Sequence, residues 1–140
     1  MTVDIQVTID AADPHALAGF WAEALGYEVE DHTPVVRQLL DAGHIPAEAT
    51  VEMDGRLQFR EVAACSDPTG KRPRLFFQLV PEAKAAKNRV HLDLHVGPDR
   101  VEAEAERLRG LGATDLWTSD DRGAFTITLA DPEGNELCVD

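Results

Sequence analysis

The sequence predicts an α+β fold built from two βαβββ modules, and three observations carry that expectation. A strand of alternating character followed by an amphipathic helix occurs twice. Both helices run into related Leu-Gly segments, LGYEV at 25–29 and LGATD at 111–115. Each half then contains an Asp-Pro-x-Gly turn, at 67–70 and at 131–134. The modules are expected over 1–81 and 89–140, joined by EAKAAKN at 82–88, within one domain of 140 residues. A single module cannot bury both faces of its own small sheet. Two modules are therefore expected to pack together, with helices over the outer apolar faces and the inner faces lining a cleft.

In the first module, Val3, Ile5, Val7 and Ile9 alternate with Asp4, Gln6, Thr8 and Asp10, the period of a half-buried strand. Asp13-Pro14 then supplies an N-cap and a proline at the first helical position. Leu17, Phe20, Trp21, Ala24 and Leu25 follow at spacings of three and four, which places them in the core, and Gly26 is the expected helix stop. An insertion is expected over 33–56, with VVRQLLDAG forming a short helix before a loop. LQFREVAAC (57–65) and RLFFQLV (74–80) read as strands flanking the first Asp-Pro-x-Gly turn.

The second module repeats this order. Val90, Leu92, Leu94 and Val96 share one strand face, and His91, Asp93 and His95 share the other. A helix is expected from about Asp99, with Val101, Ala105, Leu108 and Leu111 on its apolar stripe and Gly112 beyond its end. AFTITLA (124–130) and ELCV (136–139) flank the second turn.

Composition narrows the function. Thirteen Lys and Arg against 26 Asp and Glu give a net charge of −13, which repels nucleic-acid backbones and anionic membrane surfaces. No apolar run approaches the roughly 18 residues of a membrane span. MTVDIQVTID lacks the basic and apolar regions of a signal peptide, so a cytoplasmic location is expected. Cys65 and Cys138 are far apart and lack CxxC spacing, which disfavours a disulfide framework or a structural zinc site and reads as two small buried hydrophobes. No Walker loop, GxGxxG, GxSxG or HExxH is present. The open edges of such sheets are compatible with a homodimer.

The most informative residues lie on the first strand of the second module. His91, Asp93 and His95 stand about 6.5–7 Å apart on one face. They could bind a metal, or His91 could serve as an acid or base oriented by Asp93. A pocket-lining, hydrogen-bonded role is the favoured reading, because His and Asp on an inner face need partners in any case. Lys84, Lys87 and Arg89 read as a solvated linker. Trp117, Phe59 and Phe125 are candidates for a pocket wall, with core packing the alternative.

The paired modules, with DIQVTIDAADPHALAGFWAEALGYEV (4–29), KNRVHLDLHVGPDRVEAEAERLRGLGA (87–113) and LADPEGNELCVD (129–140), resemble the vicinal oxygen chelate superfamily. Within it they look most like the glyoxalase-like proteins of actinobacterial type, in the glyoxalase/bleomycin resistance/dioxygenase group. The resemblance covers nearly the whole chain. It implies a U-shaped mixed sheet around a cleft with the helices outside. In metal-dependent members, the first and last strands of each module each send one ligand to the metal. Carried over by position, these are Gln6, Gln78, His91 and Cys138. The family's carboxylates are missing from this set, and three neutral donors compensate poorly for a hard cation's lost hydration. No metal cofactor is therefore favoured; participation of Cys138 would select zinc.

The resemblance thus implies a glyoxalase-like protein that binds a modest organic ligand without the family's full metal site. Gln6, Gln78, His91, Asp93 and Cys138 are the expected ligand-binding residues, and His91 is the candidate catalytic one. Two alternatives stay open: a metal-dependent lyase, isomerase or dioxygenase, and an antibiotic-sequestering resistance protein.

Overall fold

The computed structural model describes residues 1–140, which form two compact units, Met1–Pro81 and Glu82–Asp140. In the first unit, β1 (Gln6–Ala11) leads to α1 (Pro14–Leu25) and β2 (Glu28–Val29). An insertion follows: α2 (Thr33–Asp41), a 3₁₀ turn at Ala47–Ala49, and a hairpin of β3 (Thr50–Met53) and β4 (Arg56–Phe59). β5 (Val62–Ser66) and β6 (Arg74–Leu79) complete a four-stranded sheet in the order β1-β6-β5-β2. Strand β1 runs parallel to β6 and the other neighbours are antiparallel.

The second unit repeats the arrangement without the insertion. Here β7 (Leu92–Leu94), α3 (Val101–Leu111), β8 (Thr114–Asp121), β9 (Ala124–Ala130) and β10 (Glu136–Val139) give the order β7-β10-β9-β8. In both sheets the module's first strand lies parallel beside its last. The mixed α+β class and the repeated βαβββ order expected from the sequence are what the structure shows.

The caps act as their residues dictate. The Asp13 carboxylate accepts the Ala16 N–H at 3.0 Å, Pro14 opens α1, and Gly26 closes it in the left-handed conformation at φ 68°. Leu17, Phe20, Trp21 and Ala24 of α1 are buried, and the helix packs on β5 and β6, whose core side chains are Ala63, Cys65, Leu75 and Phe77. In the second unit Val101, Ala105 and Leu108 of α3 are buried with Ile127, Leu129, Leu137 and Val139. Both Asp-Pro-x-Gly segments form turns closed by 2.9 Å bonds, Gly70 N–H to Asp67 C=O and Gly134 N–H to Asp131 C=O. The two carboxylates stitch the turns. Asp67 accepts from the N–H groups of Thr69, Lys71 and Arg72, while Asp131 accepts from those of Glu133 and Asn135.

Three expectations change. The stretch 57–65 is two strands rather than one: β4 pairs with β3, and β5 pairs with β6 and β2. The insertion therefore runs past residue 56 to include all of β4. Its hairpin turns at Asp54 (φ 51°) and Gly55 (φ 76°), a left-handed pair suited to Asp-Gly. The first strand begins at Gln6, because its partner β6 begins at Arg74 and the two register Gln6 with Arg74. Val3 and Ile5 are consequently exposed. For the same reason β7 spans only Leu92–Leu94, opposite Leu137–Val139, and Val90 is 78% exposed. No helix is long and apolar enough to cross a membrane.

Candidate functional site

In the second unit, strand alternation sends Leu92, Leu94, Ile127, Leu129, Leu137 and Val139 towards the core. The intervening residues are left on the opposite face. Register then aligns a row across all four strands: Asp93 opposite Cys138, Cys138 opposite Thr128, and Thr128 opposite Trp117. At about 4.8 Å per strand the row spans roughly 14 Å. A cavity of about 360 Å³ lies over this face, with His91, Asp93, Cys138, Thr128, Trp117 and Asp140 among its lining residues. That volume falls within the range of small-molecule sites. Trp117 forms one end, 46% exposed despite its size.

At the other end is a cluster of donors. His91 Nδ1 lies 2.6 Å from Asp93 Oδ1 and 4.0 Å from Cys138 Sγ. One ligand atom from each of the three residues lies within 4.8 Å of the others. Burial pushes the Cys138 thiol pKa up, and the charges of Asp93 and Asp140 add to that, against a lowering hydrogen bond from Thr128 at 3.5 Å. In the absence of a cation the thiol is therefore protonated at neutral pH. Beside the cluster, His95 Nδ1 and Asp140 Oδ1 form a short hydrogen bond that raises the His95 pKa.

Glu136 anchors the linker side of the cavity. It is 8% exposed, and its carboxylate accepts from Lys84 Nζ and from the Asn88 N–H, both at 3.0 Å. Burial opposes ionisation, but the Asn88 N–H and the Lys84 ammonium outweigh it and hold the pKa at about 2. Lys84 is thus tied down by a buried carboxylate, whereas the sequence alone places it in a solvated linker. Lys87 lines the cavity.

Of the sequence-derived candidates, the structure brings His91, Asp93 and Cys138 together. It does not bring Gln6 and Gln78 together. In the first unit Gln6 registers with Arg74 and Gln78 with Asp10, four positions along the same strand pair, or about 13 Å apart. Gln6 accepts from Arg74 Nη1 at 2.7 Å, and Gln78 donates to Asp10 at 2.9 Å. Their amides serve different neighbours. A carboxylate does join the cluster: Asp93, two residues after His91, supplies it. Thr128 and Asp140 were not singled out from the sequence. The alternation of Thr126 and Thr128 with Ile127 and Leu129 was the signal available for Thr128.

The sequence profile of the glyoxalase-like domain family matches residues 6–139. The chain belongs to the glyoxalase-like domain family. This glyoxalase-like protein has no match among curated protein sequences. Its fold is similar to that of a glyoxalase/bleomycin resistance protein/dioxygenase family enzyme from Burkholderia phytofirmans PsJN, at 13% identity and a TM-score of 0.64, over 98% of this chain and 97% of that one. It also resembles a point mutant of the fosfomycin resistance protein FosX from Listeria monocytogenes, complexed with Mn(II) and 1S,2S-dihydroxypropylphosphonic acid. The identity is 10% and the TM-score 0.62, over 99% and 90% of the two chains. A third likeness is to lactoylglutathione lyase from Agrobacterium tumefaciens, with 12% identity and a TM-score of 0.57 over 99% and 92%. At these identities the likeness shows the fold, and the site must be argued from its own residues.

The donors of this chain can be weighed for a divalent metal on their own chemistry. The four positions carried over from the family do not meet the need, because Gln6 and Gln78 stand apart. His91, Asp93 and Cys138 bring one nitrogen, one carboxylate oxygen and one sulfur together in a single cluster. That combination suits zinc-like ions and suits manganese or magnesium poorly.

Proposed function

We propose that this glyoxalase-like protein binds a small organic molecule over the polar face of the second unit's sheet. A planar part of the ligand lies against Trp117 and a polar head meets His91, Asp93 and Cys138. The carrying observation is the registered row Asp93–Cys138–Thr128–Trp117 beneath a 360 Å³ cavity. A half-exposed tryptophan beside convergent polar groups is the composition of a ligand site, since an aromatic face supplies apolar contact and the polar groups fix orientation. The small oxygenated phosphonate named with FosX is in keeping with a ligand of this size.

Trp117 provides the assay. The protein has two tryptophans, and Trp21 is buried in the first unit's core. A ligand over the second sheet should therefore change Trp117 fluorescence alone. Catechol and mandelate, each with vicinal oxygens and an aromatic ring, are the probes. Saturable quenching that disappears in Trp117→Phe, with thermal stabilisation by the same probe weakened at least ten-fold in Trp117→Ala, is the expected result. Quenching that saturates equally well with Trp117 replaced, or no saturable change with either probe, would overturn the proposal.

A second reading, proton transfer at His91, is favoured by the 2.6 Å contact with Asp93. With the Nδ1 proton held by Asp93, Nε2 carries the free lone pair and can act as a base. His91→Ala should then abolish turnover of a bound probe while leaving the Trp117 response intact. Turnover that survives in that variant would remove the base assignment.

A further inference from the structure

Strand β8 is the outermost strand of the second sheet, in the order β7-β10-β9-β8, so one side of its backbone pairs with β9 and no strand of the sheet lies on the other. It is the longest strand of the chain, eight residues or about 27 Å, and seven of the eight are exposed. Folded proteins blunt such an edge with proline, lysine, a short strand or a covering segment. Thr114–Asp121 contains neither proline nor lysine, and its one irregularity is a bulge at Leu116, between Asp115 and Trp117. Beyond the bulge, Trp117–Asp121 pairs regularly with β9 and leaves alternate N–H and C=O groups pointing outward. Large apolar side chains flank this edge on both faces: Trp117 on the cavity side, and Phe125, 45% exposed, on the side of Ile127 and Leu129. We infer that the β8 edge accepts an extended segment of another polypeptide as an added strand, one that carries Lys or Arg four positions apart. The surface is the rim of the sheet, so the inference goes beyond the cavity reading and does not depend on it.

The carboxylates along β8 select the partner. Asp115 registers with Leu129 and Asp120 with Phe125, so both lie on the side away from the cavity, and Leu116 takes up the extra position of the bulge. Four regular steps of β9 therefore separate them, about 14 Å. Arg109 pairs with Asp115, but it pairs with Glu102 and Glu106 as well, and one guanidinium offsets only one of the three charges. A two-fold-related copy of β8 would pair antiparallel, and its register of greatest overlap sets Asp115 against Asp120. Like charges directly opposite destabilise a strand pair, and a net charge of −13 on each chain adds to the repulsion. A strand with Lys or Arg four positions apart instead places one cation opposite each carboxylate. Its residues on the other face meet Trp117, and aromatic rings pair well with β-branched side chains across strands. Main-chain bonds to the free edge supply affinity, and the two acidic positions supply specificity.

The probe is the capped peptide Thr-Lys-Val-Thr-Val-Lys-Thr, whose sequence is the same in both directions and so suits either strand polarity. Titrated calorimetrically into the full chain, it is expected to bind one to one. Amide hydrogen exchange over Trp117–Asp121 should slow at least ten-fold on binding. Replacing both lysines of the peptide by glutamate should weaken binding at least ten-fold, as should Asp120→Lys in the protein. N-methylation separates the two edges of the peptide backbone. Methylating the valine amides in one peptide and the lysine amides in another should abolish binding in one case and leave it unchanged in the other. These peptide variants decide the matter should Asp120→Lys unfold. No saturable binding, equal binding of the glutamate peptide, or the same effect from both methylated forms would each overturn the inference. So would a dimer in light scattering whose β8 amides are already protected without peptide, because the edge would then belong to a second copy. Trp117 responses to catechol and mandelate are measured without peptide, so the ligand reading stands or falls separately.

Discussion

Replacing Glu136 by Gln keeps the shape of a buried side chain and removes its charge. In the native protein this carboxylate takes one hydrogen bond from Lys84 Nζ and one from the Asn88 N–H, which fastens the linker to β10. Its pKa is held down from the usual 4.5 to about 2. At about 1.36 kcal/mol per pH unit, that depression corresponds to about 3 kcal/mol of stability at neutral pH. The sign follows from the direction: the contribution is fully present above pH 4.5, where the unfolded chain's carboxylate is also ionised, and is lost as the pH falls through about 2. At pH 3 roughly half of it remains. Glu136→Gln should therefore lower the free energy of urea unfolding at pH 7 by about 2–3 kcal/mol, because Gln still accepts from Asn88 but leaves Lys84 without its ion pair. The gap between the two proteins should narrow by about half at pH 3. Unfolding followed by far-ultraviolet circular dichroism at both pH values measures it. Equal stability at pH 7 would refute the ion-pair account. A gap that persists unchanged at pH 3 would show that packing, and not charge, is responsible.

Other substitutions test the frame that holds the site. Leu108→Ala empties a fully buried position on α3 and should cost about 3 kcal/mol in urea unfolding. Gly26→Ala puts a Cβ where nothing lies within 4 Å, so its expected cost of about 1–2 kcal/mol comes only from the left-handed backbone at φ 68°. In chelator-treated native protein, iodoacetamide should modify Cys138 and spare Cys65, since Cys65 is fully buried and its thiol pKa is pushed up to about 12. Peptide mass mapping after short exposure distinguishes the two thiols.

Local chemistry made much of the fold legible. Asp13, Pro14 and Gly26 each carry their structural role in the side chain or its absence, and the paired Asp-Pro-x-Gly segments likewise close their turns through their own atoms. The hairpin at 50–59 carries a signal in Asp54-Gly55, but the apolar pattern of 57–65 conceals the break at Arg60-Glu61. The ends of the strands were not legible. Val3, Ile5 and Val90 continue the alternation of their strands, yet a strand extends only as far as a neighbour offers backbone partners. The lengths of β6 and β10 therefore decide where β1 and β7 stop.

The same limit separates the legible part of the site from the rest. Alternation alone assigned His91 and Asp93 to one face, and family position added Gln6, Gln78 and Cys138. Neither says which residue stands opposite which. A shift of one residue in the pairing of β7 with β10 would turn Cys138 to the side away from Asp93, and the N, O and S donors would no longer share a face. A shift of two would keep the face and replace the Asp93–Cys138 pair with Asp93 opposite Glu136 or Asp140, an all-oxygen pairing suited to a harder ion. Register is thus the variable that decides whether the donors facing one another are nitrogen, oxygen and sulfur or carboxylates alone. It depends on contacts between segments more than forty residues apart, so which donors face one another becomes readable only once those strands are paired.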